Sequence, residues 1–503
     1  MRYEKHLRRP GYWKLWLDDP SDRLKFMGIK KKRTEDFYVV EGNLVNAIVL
    51  NDLSIVHLPS GECDELNLPK TLYDYQHRDV VKMVEGVQIL NTNRMGYGKT
   101  IETIAALKAS QVKNAIIIAP KPVLAQWAAQ IRKWWKDCPE VAVVPDKLID
   151  GINLLNFEQT ISDKKQVQLR SQVWDAVVVD ESQRIKNPSA KRTLAATLVP
   201  ARVRYALTGT PILRNPEDLY SQLRFLNPVY SGGSFYAFRE YFCDIKMGFF
   251  GEENKGLTKS EFRVDVLHKL LRIVAVQNPE MILAKGKLEI VEKLSMVPQQ
   301  RRLYKDVVQL ALDSLPEGCT IPNGATRTLR AQQVTTSPSL FTKVWGSKFE
   351  WIRALIEDNP DEKIVVFSKF SKSVAELKKY LSKSRIECLL YTGDIDTPDR
   401  HDHLHRFQKD SHVRVLAGTI ACLGEGVDGL QHCSHIVVFL DRPYSPELIN
   451  QCEDRLNRPG QHHKVLCYFL ECAGTYDRHF GRVNETRADD IRRALIYDES
   501  DDT

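Results

Sequence analysis

At 503 residues the chain is too long for a single hydrophobic core, and domain-size limits predict about three or four units, at least two of them large lobes. Seventy-two Lys and Arg against 65 Asp and Glu leave a net charge of +7, which permits a polyanionic partner without identifying one, and ten cysteines with no C-x-x-C pair point to reduced core thiols rather than a disulfide or zinc framework. The basic N-terminus (Arg2, Lys5, Arg8, Arg9) has no apolar core behind it and no run of about 18 apolar residues exists, which excludes a secretory signal and a membrane span and predicts a soluble intracellular protein.

Residues 1–70 carry short runs such as Phe37-Tyr38-Val39-Val40 and Ala47-Ile48-Val49-Leu50, broken by turn residues, and read as a small β-rich accessory module. The Lys30-Lys31-Lys32-Arg33 run within it reads as a solvated loop. From 71 to 227, strand-like runs (Ala115 to Ala119, Ala176 to Val179) alternate with helical ones (Val123 to Trp135), the βαβ pattern of a parallel sheet buried on both faces. Between 228 and 345 the rhythm breaks at Ser231-Gly232-Gly233, at the charged loop Gly251 to Gly256 and along the polar stretch Pro316 to Pro338. This reads as an insertion and linker, partly helical, with a helix over Glu261 to Val274. From 346 to 485 the alternation returns, with strands at Lys363 to Phe367, Val413 to Leu416 and His435 to Phe439 and a helix at Ser371 to Ser382. That predicts a second α/β lobe without a glycine loop of its own, followed by an acidic tail over 486–503.

The richest stretch is Asn93-Arg94-Met95-Gly96-Tyr97-Gly98-Lys99-Thr100, between an apolar segment and an amphipathic one. Glycines let backbone N–H groups approach phosphate oxygens, a lysine reaches the outer phosphates and a hydroxyl holds magnesium, so the run predicts a nucleoside triphosphate site. Asn93 stands where the strict pattern has glycine, and asparagine is the side chain that best tolerates a left-handed backbone. The strand ending at Val179 delivers Asp180-Glu181 to the carboxyl edge of the sheet. Asp180 there suits the metal beside Thr100, and Glu181 suits orientation and deprotonation of the attacking water. A second strand ends in Thr208-Gly209-Thr210-Pro211, a polar turn suited to sensing.

In the second lobe, Gln451, Asp454, Arg455 and Arg458 share one face of an expected helix by i, i+3, i+4 and i+7 spacing, opposite the apolar Ile449, Cys452 and Leu456. Pro459 places Arg458 at the helix end, where its guanidinium suits a γ-phosphate. The histidines 401, 403, 405 and 412 lack the cysteines or carboxylates of a metal site and read as exposed helix residues. Trp127, Trp134 and Trp135 read as packing residues.

In this order the motifs resemble the Swi/Snf family of double-stranded DNA-dependent ATPases within helicase superfamily two, over about Leu72 to Gln461. Leu72-Tyr73-Asp74-Tyr75-Gln76 is similar to the opening motif, which implies that Gln76 reads adenine, and Met95 to Thr100 resembles the phosphate loop. Ala119-Pro120-Lys121-Pro122-Val123-Leu124-Ala125-Gln126-Trp127 resembles the motif that lies along a DNA strand. Asp180 to Asn187 stands where the family has D-E-A-H-R-I-K-N, and Leu207 to Pro211 matches L-T-G-T-P. Ser347-Lys348, Val366-Phe367-Ser368, Tyr391 to Asp394, Gly424 to Asp428 and Gln451 to Gln461 follow in family order, with Arg455 and Arg458 on the arginine-finger positions. Arg94 in place of an acid, Ser182-Gln183 in place of Ala-His and Asp428 in place of a common asparagine are departures.

The resemblance implies two RecA-like lobes that use ATP and Mg2+, with Gln76, Met95, Gly96, Tyr97, Gly98, Lys99, Thr100 and Gln451 at the nucleotide, Thr100 and Asp180 at the metal, and Lys121 and Thr419 on DNA. It implies a DNA-dependent ATPase that tracks 3′ to 5′ along duplex DNA. The alternatives are a strand-separating or branch-migrating helicase at forks and junctions, and a DNA-binding scaffold with an inactive pocket. A monomeric motor of minimal bacterial or viral type is expected, cytoplasmic or nucleoid-associated, or nuclear in a eukaryote.

Overall fold

Strands rich in Ile and Val on both faces can only be satisfied by burial on both sides, and the computed structural model shows that arrangement twice. The structure describes residues 2–5, 12–16, 22, 25–31, 38–41, 43–51, 71–248, 251–278, 286–313, 323–424, 427–443, 445–458 and 460–495. Arg8-Arg9, Lys32-Arg33, Phe37, Glu425-Gly426, Pro459 and the acidic run Asp498 to Asp502 lie outside them. The chain divides into two units, Met1–Glu280 with Asp489–Thr503, and Met281–Ala488.

The first unit opens with a four-stranded antiparallel sheet of order β1-β2-β4-β3, built from β1 (Arg2–Lys5), β2 (Tyr12–Trp16), β3 (Lys30–Lys31) and β4 (Tyr38–Glu41). Its main sheet combines β5 (Gln88–Asn91), β6 (Ala115–Ile118), β7 (Val141–Val143), β8 (Ile152–Leu155), β9 (Trp174–Asp180) and β10 (Ala201–Leu207). An antiparallel hairpin, β11 (Cys243–Gly248) and β12 (Gly251–Leu257), precedes a last short strand, β13 (Ala275–Val276). The main sheet is wholly parallel, with order β13-β5-β10-β9-β6-β8-β7. Period-two alternation sends Ile116, Ile118, Val177 and Val179 into one core, and Ala115, Ile117, Ala176 and Val178 into the other.

The second unit repeats the plan with β14 (Lys287–Leu294), β15 (Ile364–Ser368), β16 (Cys388–Tyr391), β17 (Val415–Thr419), β18 (Ile436–Phe439) and β19 (Val465–Cys472). They form one parallel sheet of order β14-β19-β18-β15-β17-β16. Val365, Phe367, Val437 and Phe439 face one core, and Ile364, Val366, Val415 and Val438 the other. Two parallel-sheet α/β lobes with a small N-terminal β module are therefore present. Cys467 and Cys472 are buried in β19, and the eight cysteines among the described residues are free thiols.

Four local expectations are corrected. Ala47 to Leu50 is helical, within Leu44–Leu50, because Asn43 caps the Asn46 N–H and Asn51 ends the helix in a left-handed conformation; a short apolar run does not distinguish strand from helix by period. Gly251 to Gly256 is strand β12 rather than a loop, since its charged residues occupy a two-stranded hairpin. The region 228–345 is more than an insertion and linker, since it supplies edge strands to the main sheets, β13 to the first and β14 to the second, while the helix Asn323–Thr336 agrees with its partly helical reading. The tail region begins inside a helix, Tyr476–Leu495, whose Ile491 and Ala494 are buried in the first unit's core. That same core takes in Trp13, Leu15, Phe26 and Val40, so the N-terminal module is packed onto the first unit rather than standing apart.

No helix among the described residues is long and apolar enough to cross a membrane. His401 and His405 are exposed on the helix Thr397–Lys409, while His403 Nδ1 lies 2.7 Å from the Leu390 carbonyl.

Candidate active site

The strand order β5-β10-β9 sets three turns side by side at the carboxyl edge of the first sheet. In register, Leu207 of β10 faces Asn91 of β5 on one side and Asp180 of β9 on the other. The glycine loop leaves β5, the Thr208 to Pro211 turn leaves β10, and the acidic pair leaves β9, so side chains far apart in sequence meet on one sheet edge.

The glycine loop runs from Thr92 to the N-terminus of the helix Lys99–Ala109, and Gly96 and Gly98 take positive φ values of 84° and 90°. A Cβ on Gly98 would also collide with Gln76 Nε2, so this position needs glycine twice over. Gln76 is buried. Its Nε2 donates to the Tyr97 carbonyl at 2.9 Å, its Oε1 accepts from the Tyr73 N–H at 3.0 Å, and the Tyr75 hydroxyl donates to the same Tyr97 carbonyl at 2.7 Å. The opening motif thus braces the loop from beneath.

Lys99 Nζ donates to the carbonyls of Asn93 (2.6 Å) and Arg94 (3.1 Å), within the loop itself. The loop runs straight into the N-terminus of the helix Lys99–Ala109, where Gly98 is the left-handed cap and its carbonyl accepts from the Ile101 and Glu102 N–H groups (2.8 and 3.0 Å), the local structure of a phosphate-binding turn. From the next turn, a Cβ on Gly209 would lie 3.3 Å from Met95 N and 3.5 Å from Lys99 Nζ, which places the Thr208-Gly209-Thr210 turn directly against the loop.

Asn93 does not take the left-handed backbone its substitution for glycine suggested. It is fully buried, and its side chain works instead: Nδ2 donates to Asp79 Oδ2 (2.6 Å) and Glu102 Oε2 (3.2 Å), and Oδ1 accepts from the Asn278 N–H (3.0 Å) and Nδ2 (2.9 Å). Burial pushes the Glu102 carboxyl up to about 8, aided by the neighbouring Asp79. This polar knot had no signature in the sequence, because its four members lie on four separate segments.

Asp180 and Glu181 stand at the end of β9. Asp180 Oδ1 accepts from the Glu181 N–H at 2.9 Å, and Oδ2 accepts from the Trp127 indole N–H at 2.8 Å. Burial pushes the Asp180 carboxyl up to about 6, and the adjacent Glu181 charge adds to that. A part-buried carboxylate beside a second one, on the sheet edge next to the loop that carries Thr100, is a donor set that suits a hard divalent cation, so the residues present fit magnesium.

Glu181 takes φ 51°, a left-handed conformation for a non-glycine residue of the kind found at functional turns. Gln183 Nε2 donates to Glu181 Oε2 at 2.6 Å, which gives a role to one of the two departures in this motif. The other, Ser182, donates through Oγ to Gln222 Oε1 (2.8 Å), and Gln222 Nε2 donates to the Pro211 carbonyl (2.7 Å), joining the acidic turn to the Thr208 to Pro211 turn. Lys186 pairs with Asp218 at 3.1 Å, and Asp218 also accepts from the Leu213 and Arg214 N–H groups. Sequence reading missed Trp127, Gln183, Gln222 and Asn278, whose roles depend on long-range contacts. Lys121 is exposed in the short 3-10 turn Lys121–Val123.

In the second unit the expected helix ends early, at Glu453. Arg455 and Arg458 lie in the turns that follow, and the expected polar face is itself largely interior: Gln451 and Arg455 are buried with Cys452 and Leu456. Arg455 is held by backbone carbonyls, through Nε to Gly424 (2.9 Å) and Nη1 to Val427 (3.1 Å). Arg458 donates through Nε to the Asp454 carbonyl (2.6 Å) and through Nη1 to Asp428 Oδ1 (3.1 Å). Glu453 is buried against Lys287 at the start of β14, which sets the helix end in place. Thr419 closes β17 and is nearly buried.

Two α/β units, each built on a wholly parallel main sheet, the first with a glycine loop and an acidic pair on one sheet edge, have the architecture of helicase superfamily two. The SNF2-related domain matches residues 81–336, just over half of the chain, and the helicase conserved C-terminal domain matches 347–460. The chain belongs to the SNF2-related family.

Among curated proteins it is similar to the mouse (Mus musculus) DNA annealing helicase and endonuclease ZRANB3, at 26% identity over 76% of this chain and 37% of the relative. An uncharacterized ATP-dependent helicase of Mycoplasma pneumoniae is 23% identical over 85% of this chain and 42% of the relative. The chain thus spans less than half the length of these relatives. Among solved structures, the Sulfolobus solfataricus SWI2/SNF2 ATPase core in complex with dsDNA gives a TM-score of 0.40 at 21% identity, covering 88% of this chain and 98% of that one.

Proposed function

We propose that this chain is an ATP-driven translocase on double-stranded DNA, which couples hydrolysis in the first unit to 3′ to 5′ tracking along one strand of a duplex. The observation that carries the reading is the sheet edge on which the Gly96-Tyr97-Gly98-Lys99-Thr100 loop, the Thr208-Gly209-Thr210 turn and the Asp180-Glu181 pair stand on adjacent strands. Membership of the SNF2-related family and a relative named for a DNA annealing helicase support the choice of ATP and DNA. The net charge of +7 is compatible with a phosphate-contacting partner.

In this reading, loop N–H groups receive the phosphates and Lys99 exchanges its carbonyl partners for the outer phosphate oxygens. Gln76 and Gln451 take the base and sugar side. Thr100 and Asp180 would hold magnesium, which would supply positive charge to neutralise the phosphates. Glu181, aimed by Gln183, takes a proton from the water whose oxygen bonds to the γ-phosphorus as the β,γ-bridging oxygen leaves with ADP. Arg455 and Arg458 supply the positive charge that the second unit contributes to hydrolysis. Lys121 and Thr419 are assigned to the duplex, in contacts to phosphates that are salt-sensitive and independent of sequence.

The test pairs two assays with ATP. Removal of a third strand from a triplex without unwinding of tailed duplexes supports translocation. Unwinding or re-pairing of forked strands supports the second reading, a strand-separating or branch-migrating helicase, and overturns the first.

A further inference from the structure

A tryptophan that serves only to pack needs no partner for its indole N–H beyond the nearest carbonyl, and two indoles of the first unit follow that rule: Trp134 donates to Gln130 within its own helix, and Trp174 to the Leu169 carbonyl. Trp127 differs. It is buried on the apolar face of the helix Leu124–Trp134, beside Leu124, Ala128 and Ile131, yet its N–H reaches out of that helix to Asp180 Oδ2 at 2.8 Å. With the Glu181 N–H on Oδ1 at 2.9 Å, each oxygen of Asp180 carries one fixed donor. The plane of the carboxylate is thereby set, and each oxygen keeps a lone pair in reserve.

We propose that Trp127 is a positioning residue for Asp180: the indole N–H holds the carboxylate in the orientation that receives a divalent cation, so the helix Leu124–Trp134 sets the geometry of the metal site. The inference rests on the assignment of Asp180 to magnesium made above. Outer donors of this kind orient the groups that touch a metal, and their removal typically costs about 10–100-fold in metal affinity. The same helix follows directly on the 3-10 turn Lys121–Val123, so a group docked at Lys121 and the carboxylate at Asp180 are served by one short continuous element.

The test reads binding rather than turnover. Magnesium is titrated into the full chain with a fluorescent N-methylanthraniloyl ADP, and the half-saturating concentration is compared between variants. Trp127→Phe, which keeps an aromatic ring and removes the donor, should raise it about tenfold, while Trp134→Phe leaves it unchanged. Asp180→Asn should abolish the magnesium dependence. A Trp127→Phe protein with wild-type thermal midpoint and wild-type magnesium dependence overturns the inference; retention of magnesium dependence in Asp180→Asn overturns the site assignment instead. Should Trp127→Phe not fold, replacement of Trp127 by its benzothiophene isostere, which exchanges only the N–H for sulfur, puts the same two outcomes to the same titration.

Discussion

The two units share one scaffold and differ in what their strand ends carry. Both sheets are wholly parallel and buried on both faces, yet the first ends β5 and β9 in a glycine loop and two carboxylates, while the second ends β17 in Thr419 and holds its arginines on backbone carbonyls. A glycine loop at a helix N-terminus beside a carboxylate pair is the donor set on which the proposed phosphate site rests. The Arg455 guanidinium is buried and fixed on carbonyls, so the second unit carries positive charge held in place. Chemistry here is a property of the turns, and the sheets serve to put those turns in register.

The largest effects should come from the first unit's turns. Lys99→Ala or Glu181→Gln should each lower ATP turnover by at least about 10²–10³-fold in a phosphate-release assay at saturating duplex. Near-normal turnover in either variant would contradict the assignment of hydrolysis to this edge.

The arginines sharpen the contrast within the second unit. Arg458→Ala should cost about 10³-fold in turnover with a smaller drop in thermal midpoint than Arg455→Ala, because it gives up one carbonyl contact and an ion pair whose carboxylate, Asp428, is 69% exposed. Arg455→Ala strips buried carbonyls of their donors and should also lower the midpoint by about 5 °C or more, at roughly 2–4 °C per kcal/mol for a unit of this size. Equal melting of the two variants would erase the distinction between a guanidinium held wholly by buried carbonyls and one that also pairs with an exposed carboxylate.

Next comes the brace beneath the glycine loop. Gly98→Ala should cost about 1–3 kcal/mol, through its positive φ and the collision with Gln76, and should weaken nucleotide binding. If the collision matters, adding Gln76→Ala costs less in the Gly98→Ala background than in the wild type, which a double-mutant cycle on nucleotide affinity measures. The smallest effect belongs to Asp428→Asn, where loss of an exposed ion pair should change turnover by no more than about fivefold.

Much of this contrast could be read before the fold was known, because local patterns carried it. Runs such as Ala176 to Val179 are apolar at every position, which only a doubly buried strand requires, and the glycine loop announces its backbone demands in its own residues. What stayed hidden was long-range. Asn93 was given a backbone role and turned out to act through its side chain, because Asp79, Glu102 and Asn278 come to it from other segments. Trp127 looked like packing because its partner lies 53 residues away. The helix bearing Arg455 and Arg458 looked longer than it is, because its spacing continues past Glu453 while Arg455 turns inward onto Gly424 and Val427.

The most direct test of the central claim is phosphate release from ATP by the wild-type chain, with linear duplex DNA and without it, at low and high salt. The account predicts turnover that rises on addition of duplex and falls again as salt displaces it. The same turnover with and without duplex would contradict it.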